Sequence, residues 1–387
     1  MALTVIAPAG VRKPERRAAT GRLAPAVIDF AVVRLPGYVF AELAVAGTLL
    51  AGTSFGAWQG ARHLRAVLAS HAAAERAAIP ELRSRRDLST LPDLRVSLEA
   101  AGTFLGMSDE LLLERVRTQP IVRFKLNHGG SSLSFRLDFA DGSRAAWKPT
   151  QTNLQTIPRK EVAAYRLNRL LGMNAVPPAA PRTVSRDELL THLHPESLPD
   201  LPRIQAETIF GPTGKTIGTA SYWIPVIKDS GFDTPTGHRL AQTWLSQGEH
   251  IPADQRSMAA QLSDLVVFDF LTSNPDRYSG GNMKMSPDGS QLFFMDNTMA
   301  FFIDPEGTRR TRDVLTKTQR FSRSLYESLD RVNAPTLEQI LAVETGSPYE
   351  ILTSAEIGAV VARRDYVRRY LDELIAQYGA REVLAFP

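Results

Sequence analysis

The sequence contains no cysteine. That excludes disulfides, thiolate metal sites and cysteine nucleophiles, and it suits a reducing compartment, so the expected location is cytoplasmic. Long apolar runs are also missing. The longest charge-free segment, residues 43–61, is broken up by Gly, Thr, Ser and Gln, and Glu42 abuts it. A spanning helix needs about 20 strongly apolar residues, so a buried helix is expected there and no stable membrane insertion. Neither sign of charge dominates: 45 Lys and Arg face 41 Asp and Glu, for a net charge of +4. The densest basic runs, Arg12-Lys13 with Arg16-Arg17 and Arg83 with Arg85-Arg86, are short and lie beside Pro, Ala and acidic residues. They read as solvated segments, and no nucleic-acid partner is expected. The seven His show no zinc spacing: His192 and His194 sit one residue apart in a Pro-rich stretch, and there is no H-E-x-x-H.

What is present is a globular composition, 43% hydrophobic and 22% charged over 387 residues. That length suits a two-lobed enzyme with an extension. The expected class is α+β, divided into a mixed, mostly helical extension at 1–105, a strand-rich lobe at 106–230 and a helical lobe at 231–387. In the strand-rich part, residues 121–126 alternate apolar and basic side chains, the period of a half-buried strand. The small-residue loop Asn127-His128-Gly129-Gly130-Ser131-Ser132 follows, then a strand over 133–139, a hairpin turn at Asp141-Gly142 and a strand over 144–148. A helix fits 159–171, with one broad apolar face and Gly172 as its C-terminal cap. A buried strand is expected over 220–227. Beyond it the pattern predicts a helix over 254–272, stopped at Asn274-Pro275, a hairpin turning at Pro287-Asp288-Gly289, and helices over 315–329, 336–343 and 354–378.

This order carries chemistry. Phosphoryl transfer passes through a loose transition state, so its catalyst mainly holds phosphates and cancels charge. Gly129 and Gly130 leave backbone N–H groups free to approach phosphate oxygens. Lys148 offers a point charge for the phosphates, and Glu161, one turn into the next helix, is the group expected to orient it. Asp276 is the candidate base for an incoming hydroxyl. Asn282 and Asp296 supply hard oxygen ligands for magnesium or manganese. The turn at 287–289 brings both to the open end of one hairpin.

Each signal alone has a plainer reading. A Lys at a strand end is commonly a solvated edge residue, a Glu early in a helix is favourable N-terminal charge, and Asn-Pro-Asp-Arg commonly stops a helix. Two further matches fail on context. Gly52-Thr53-Ser54-Phe55-Gly56 fits a nucleophile elbow but lacks the strand before it. Gly214-Lys215-Thr216 mimics the end of a P-loop, whose first Gly falls at Ile209.

Together, Ala146-Trp147-Lys148-Pro149, the run from Glu161 to Leu171, Val176-Pro177-Pro178, the run from Asp269 to Arg277 and Asp296-Asn297 resemble the secretory-pathway Golgi casein kinase family. More distantly they resemble phosphatidylinositol 3/4-kinases and HipA-type kinases. The resemblance covers roughly 120–305. It implies a two-lobed protein-kinase-like fold that uses ATP with Mg2+ or Mn2+. Lys148 and Glu161 would bind nucleotide, Asp276 would act as base and Asp296 would bind metal. The acceptor it implies is a Ser or Thr hydroxyl of a protein. A glycan, lipid or small-molecule acceptor fits the same chemistry, and a non-catalytic binding module would keep only the fold. The chain departs from the family at Tyr278, where His often follows Asp-Arg, and in lacking the cysteines of the secreted animal enzymes.

Overall fold

The computed structural model describes residues 5–8, 30–33, 98–99, 101–279, 281–341 and 350–387. The chain divides into two compact units, Met1–Val67 and Leu68–Pro387. In the first, β1 (Val5–Pro8) pairs antiparallel with β2 (Phe30–Val33). Apart from these two strands, residues 1–97 of the expected extension, the apolar segment 43–61 included, lie outside the described residues. Among the described residues no helix is long and apolar enough to cross a membrane.

In the second unit a two-stranded ribbon, β3 (Thr103–Phe104) and β4 (Met107–Ser108), leads into α1 (Asp109–Thr118). Ser108 caps that helix by accepting from the Leu111 N–H. A five-stranded antiparallel sheet follows, built from β5 (Ile121–Leu126), β6 (Phe135–Phe139), β7 (Arg144–Pro149), β8 (Ala179–Ser185) and β9 (Lys215–Tyr222) in the order β5-β6-β7-β9-β8. Its alternation places Phe124, Phe135 and Trp147 on one face, with ring centroids 5.7–6.3 Å apart. Such pairs contribute about 0.5–1.5 kcal/mol each beyond their burial. Gly218 on β9 is required by close approach, since a Cβ there would lie 2.4 Å from the Lys148 carbonyl oxygen and 2.5 Å from Trp147 Nε1. The strand expected over 220–227 thus begins earlier and ends earlier. Its polar residues Lys215, Thr216 and Thr219 conceal the strand pattern, and Trp147 fills the space over Gly218.

Helix α2 (Arg159–Leu170) is buried on nearly every side rather than along one face. Its polar side chains have specific partners. Arg159 and Lys160 both reach Glu356, Arg166 donates to the Ile340 carbonyl, and Asn168 accepts from the Ala175 and Val176 N–H groups. Two short helices, α3 (Arg186–Thr191) and α4 (Leu201–Glu207), flank the sheet.

From β10 (Lys228–Asp229) onward the chain is mainly helical. Helices α5 (Pro235–Trp244) and α6 (Arg256–Thr272) precede the hairpin of β11 (Met283–Met285) and β12 (Leu292–Phe294). The helix expected over 315–329 is two helices, α7 (Arg309–Leu315) and α8 (Arg323–Ser328). Between them the Gln319 and Arg320 N–H groups bond to the Leu245 carbonyl, which draws the backbone out of helical pairing. The chain closes with α9 (Ala334–Ile340), α10 (Ser354–Tyr378) and α11 (Ala380–Val383). Thr353 and Glu356 form a capping box at the start of α10.

Glu356 therefore neutralises two buried cations while capping α10. Replacing it by Gln removes the carboxylate that both cations reach and is expected to lower stability by about 3–5 kcal/mol, read as a lower denaturant midpoint at unchanged slope. Asp264 on α6 has an oxygen, Oδ1, with no hydrogen-bond partner among the described residues. Burial pushes its carboxyl up to about 7 from 3.8, a hydrogen bond from Ser322 offsetting part of the rise. The folded state thus holds this proton more tightly than the unfolded chain, so stability is full below pH 3.8 and is lost as pH rises through about 7. Asp264→Asn should remove that slope and melt above the native chain at pH 8.

Candidate active site

Lys148 stands near the end of β7, with its side chain directed between β12 and α2. Its Nζ lies 2.6 Å from Asp296 Oδ1. Burial alone would depress this ammonium, but the carboxylates of Asp296, Glu161 and Asp276 outweigh it and hold its pKa above the usual value. The same balance depresses Asp296: burial raises its carboxyl, and Lys148 and Thr298 overcome that rise. Lys148, Glu161, Asn282 and Asp296 line one cleft of about 230 Å³, together with the apolar Ala146, Pro177, Phe294 and Met295.

Glu161 was expected to grip Lys148, and its closest partner is different. Its two oxygens accept from the Asn297 backbone N–H at 2.7 Å and the Asn297 side-chain amide at 3.1 Å. With both oxygens engaged, Glu161 acts on Lys148 through its field, and Lys148 reaches Asp296 instead. Burial pushes the Glu161 carboxyl up, with Lys148 and Asn297 pulling against it.

Asp276 lies past the left-handed C-cap Ser273 of α6, in a turn closed by its own N–H donating to Asn274 Oδ1. The Asn282 amide donates to the Asp276 carbonyl at 3.0 Å and to its carboxylate at 2.9 Å. Pairing of Met283 with Phe294, and a bond from the Met295 N–H to the Asn282 carbonyl, bring the segments bearing Asn282 and Asp296 together at the hairpin's open end. Asp296 itself has a φ of 50°, a conformation that costs a non-glycine residue strain.

Gly129 and Gly130 are not among the residues lining the cleft. Both are exposed, in the loop between β5 and β6 at the sheet end where Phe135 faces Trp147. The loop is anchored by Gln151, which accepts from the Leu133 N–H and donates to the Leu133 carbonyl, and by Arg203, which donates to the Ser131 carbonyl.

Arg277 was given no role in the sequence reading, yet it ties the region together. Fully buried, it donates twice to Asp269 Oδ1 and once to Oδ2, to the Asn282 and Met295 carbonyls, and to Asn297 Oδ1. Asp269 and Asn297, parts of the two motifs by type alone, are its side-chain partners. The available signal was an Arg following Asp276 directly, eight residues after an acidic residue in an otherwise apolar helix end.

A divalent cation suits these donors only in part. Among the described residues no group of three or more His, Cys, Asp or Glu could hold a metal ion alone. Asp296, with the Asn282 amide, matches the one or two oxygen ligands from which Mg2+ is commonly held when phosphate oxygens complete its shell.

In sequence the chain matches no family model and no curated protein. In structure it superposes on a Golgi casein kinase with a TM-score of 0.56 and 16% identity, covering 72% of this chain and 80% of that one. A Golgi casein kinase with Mn and ADP bound gives 0.54 and 15%, over 71% and 78%. The Fam20 of hydra, solved with sugar, gives 0.55 and 17%, over 76% of this chain and 98% of that one. The chain has the fold of the Golgi casein kinases.

The Golgi casein kinase fold corrects one expectation. A cytoplasmic location was inferred from the missing cysteines, and solved structures that share this fold include an enzyme of the Golgi. The missing cysteines therefore do not place this chain in the cytoplasm. Arg277→Lys, which cannot serve all four partners, should cost about 3 kcal/mol or more by leaving Asp269 buried and underpaired. Thermal melting of the two chains checks this.

Proposed function

We propose that this chain is a kinase that transfers the γ-phosphate of ATP, with Mg2+ or Mn2+, to a Ser or Thr hydroxyl of a protein. One observation carries the reading: Lys148, Glu161, Asp276, Asn282 and Asp296 converge within a single network beside an apolar-walled cleft. The Mn and ADP held by the Golgi casein kinase of the same fold support the choice of cofactors.

In this reading Ala146, Pro177, Phe294 and Met295 take the flat base, and Lys148 neutralises phosphate charge. Asp296 and Asn282 would hold a divalent cation, which when bound would supply positive charge against the phosphates. Asp276 accepts the proton of the attacking hydroxyl as its oxygen bonds to the γ-phosphorus, and the bond to the leaving ADP oxygen breaks. Asn282 fixes the Asp276 carboxylate, and Asn297 carries the orienting effect of Glu161 to the backbone of the Asp296 segment.

The acceptor has a natural entrance. A second cavity of about 600 Å³ adjoins the Asp276 loop and includes Asp233, His238, Tyr278, Arg310 and Lys317. Asp233 accepts from the Gly281 N–H, and Arg310 donates to the Pro275 carbonyl, so its walls brace the loop on both sides of Asp276.

The test is phosphate transfer from radiolabelled ATP, with and without Mg2+ or Mn2+, using the chain itself and a mixed protein extract as acceptors. Labelling should require the metal and fall by about 10²–10⁴-fold in Asp276→Ala. Metal-dependent ATP binding without protein labelling would redirect the acceptor to a glycan, lipid or small molecule. Absence of ATP binding would leave a binding module.

A further inference from the structure

We propose that the helical part carries a second anion site, which binds phosphate groups away from the cleft that holds Lys148. The site is a cavity of about 460 Å³ whose walls include Arg256, Arg320, Arg323 and Arg381. The four come from separate pieces of chain: the start of α6, the α7–α8 connection, the start of α8, and α11. No residue of this cavity is shared with the Lys148 cleft.

Two of the guanidiniums are positioned without being neutralised, and the other two stand exposed. Arg320 donates to the Trp244 and Glu249 carbonyls at 3.3 and 2.7 Å. Arg256 donates to the Ala385 carbonyl at 2.7 Å and stands 5.9 Å from the centre of the Phe386 ring. Arg323 and Arg381 are exposed. Among the described residues none of the four makes an ion pair, in contrast to Arg159, Arg169 and Arg277, each of which has a carboxylate. The two acidic residues in the wall, Glu249 and Glu382, make none among the described residues either. Four guanidiniums against two carboxylates leave an excess of two positive charges, with His250 beside them.

Arginine forks bind phosphate oxygens in pairs through charge-assisted hydrogen bonds, and several together select a multiply charged anion over a carboxylate. Carbonyl-held guanidiniums lose little freedom on binding, which favours affinity. The ligand class is therefore a phosphate group, free or attached as a phosphomonoester to a peptide. The assignment does not rest on the kinase reading.

Binding of inorganic pyrophosphate and of a phosphoserine peptide, with its unphosphorylated counterpart as control, tests the site by calorimetry on the full chain at physiological salt. The double variant Arg323→Gln, Arg381→Gln removes two exposed guanidiniums that make no hydrogen bond among the described residues, and its melting temperature should match the native chain. Its affinity should drop by about tenfold or more, while Asp276→Ala binds as the native chain does. Pyrophosphate binding alone identifies free phosphate as the source, and peptide binding alone identifies the attached group. Three results overturn the proposal: no saturable binding, equal affinity in the double variant, or an oligonucleotide binding more tightly than either probe.

Discussion

The buried guanidinium of Arg277 is the joint on which the site's geometry hangs. Its five donors are shared among the end of α6, the segment before β11, the end of β12 and Asn297. A charge buried this completely is costly unless it is paired and its remaining protons are satisfied, and here Asp269 and three oxygen acceptors meet that requirement. Asp276 precedes Arg277 directly in the chain and Asp296 precedes Asn297. Satisfying one buried arginine thus fixes the backbone beside both candidate functional carboxylates.

A second layer repeats the logic at α2. This helix carries Glu161, and its first turn is held by a carboxylate from α10, nearly two hundred residues away in sequence. Side chains that look solvent-facing by type are interior because each has a specific partner. Polarity inside this fold specifies which elements meet, and the aromatic stack under the sheet supplies the less selective part of the packing.

Much of the framework was legible because local signals agreed. Period-two alternation at 121–126, the Asp141-Gly142 turn and the Pro287-Asp288-Gly289 turn all act over a few residues, and those elements lie close to where the pattern puts them. Lys148, Glu161, Asn282 and Asp296 could be nominated because their types suit phosphate and metal. What was not legible depends on distant partners. The pairing of Glu161 with Asn297, the break between α7 and α8 at Leu245, and the burial of Lys160 all arise from contacts across the fold. Polar residues also conceal β9, where Thr216 and Thr219 are buried despite their type. The glycines of the β5–β6 loop show the converse: composition suggested a role, and the lining of the cleft does not include them.

Gly218 has one more consequence. Because a methyl group there would collide with both the Lys148 carbonyl and the Trp147 ring, β7 and β9 can lie side by side only with this residue opposite Pro149. Sliding either strand by two residues would keep every side chain on its proper face but bring a bulkier residue under the indole. The missing side chain therefore acts as an index mark. It sets how far along the sheet the lysine stands, and hence how deeply its ammonium extends into the cleft.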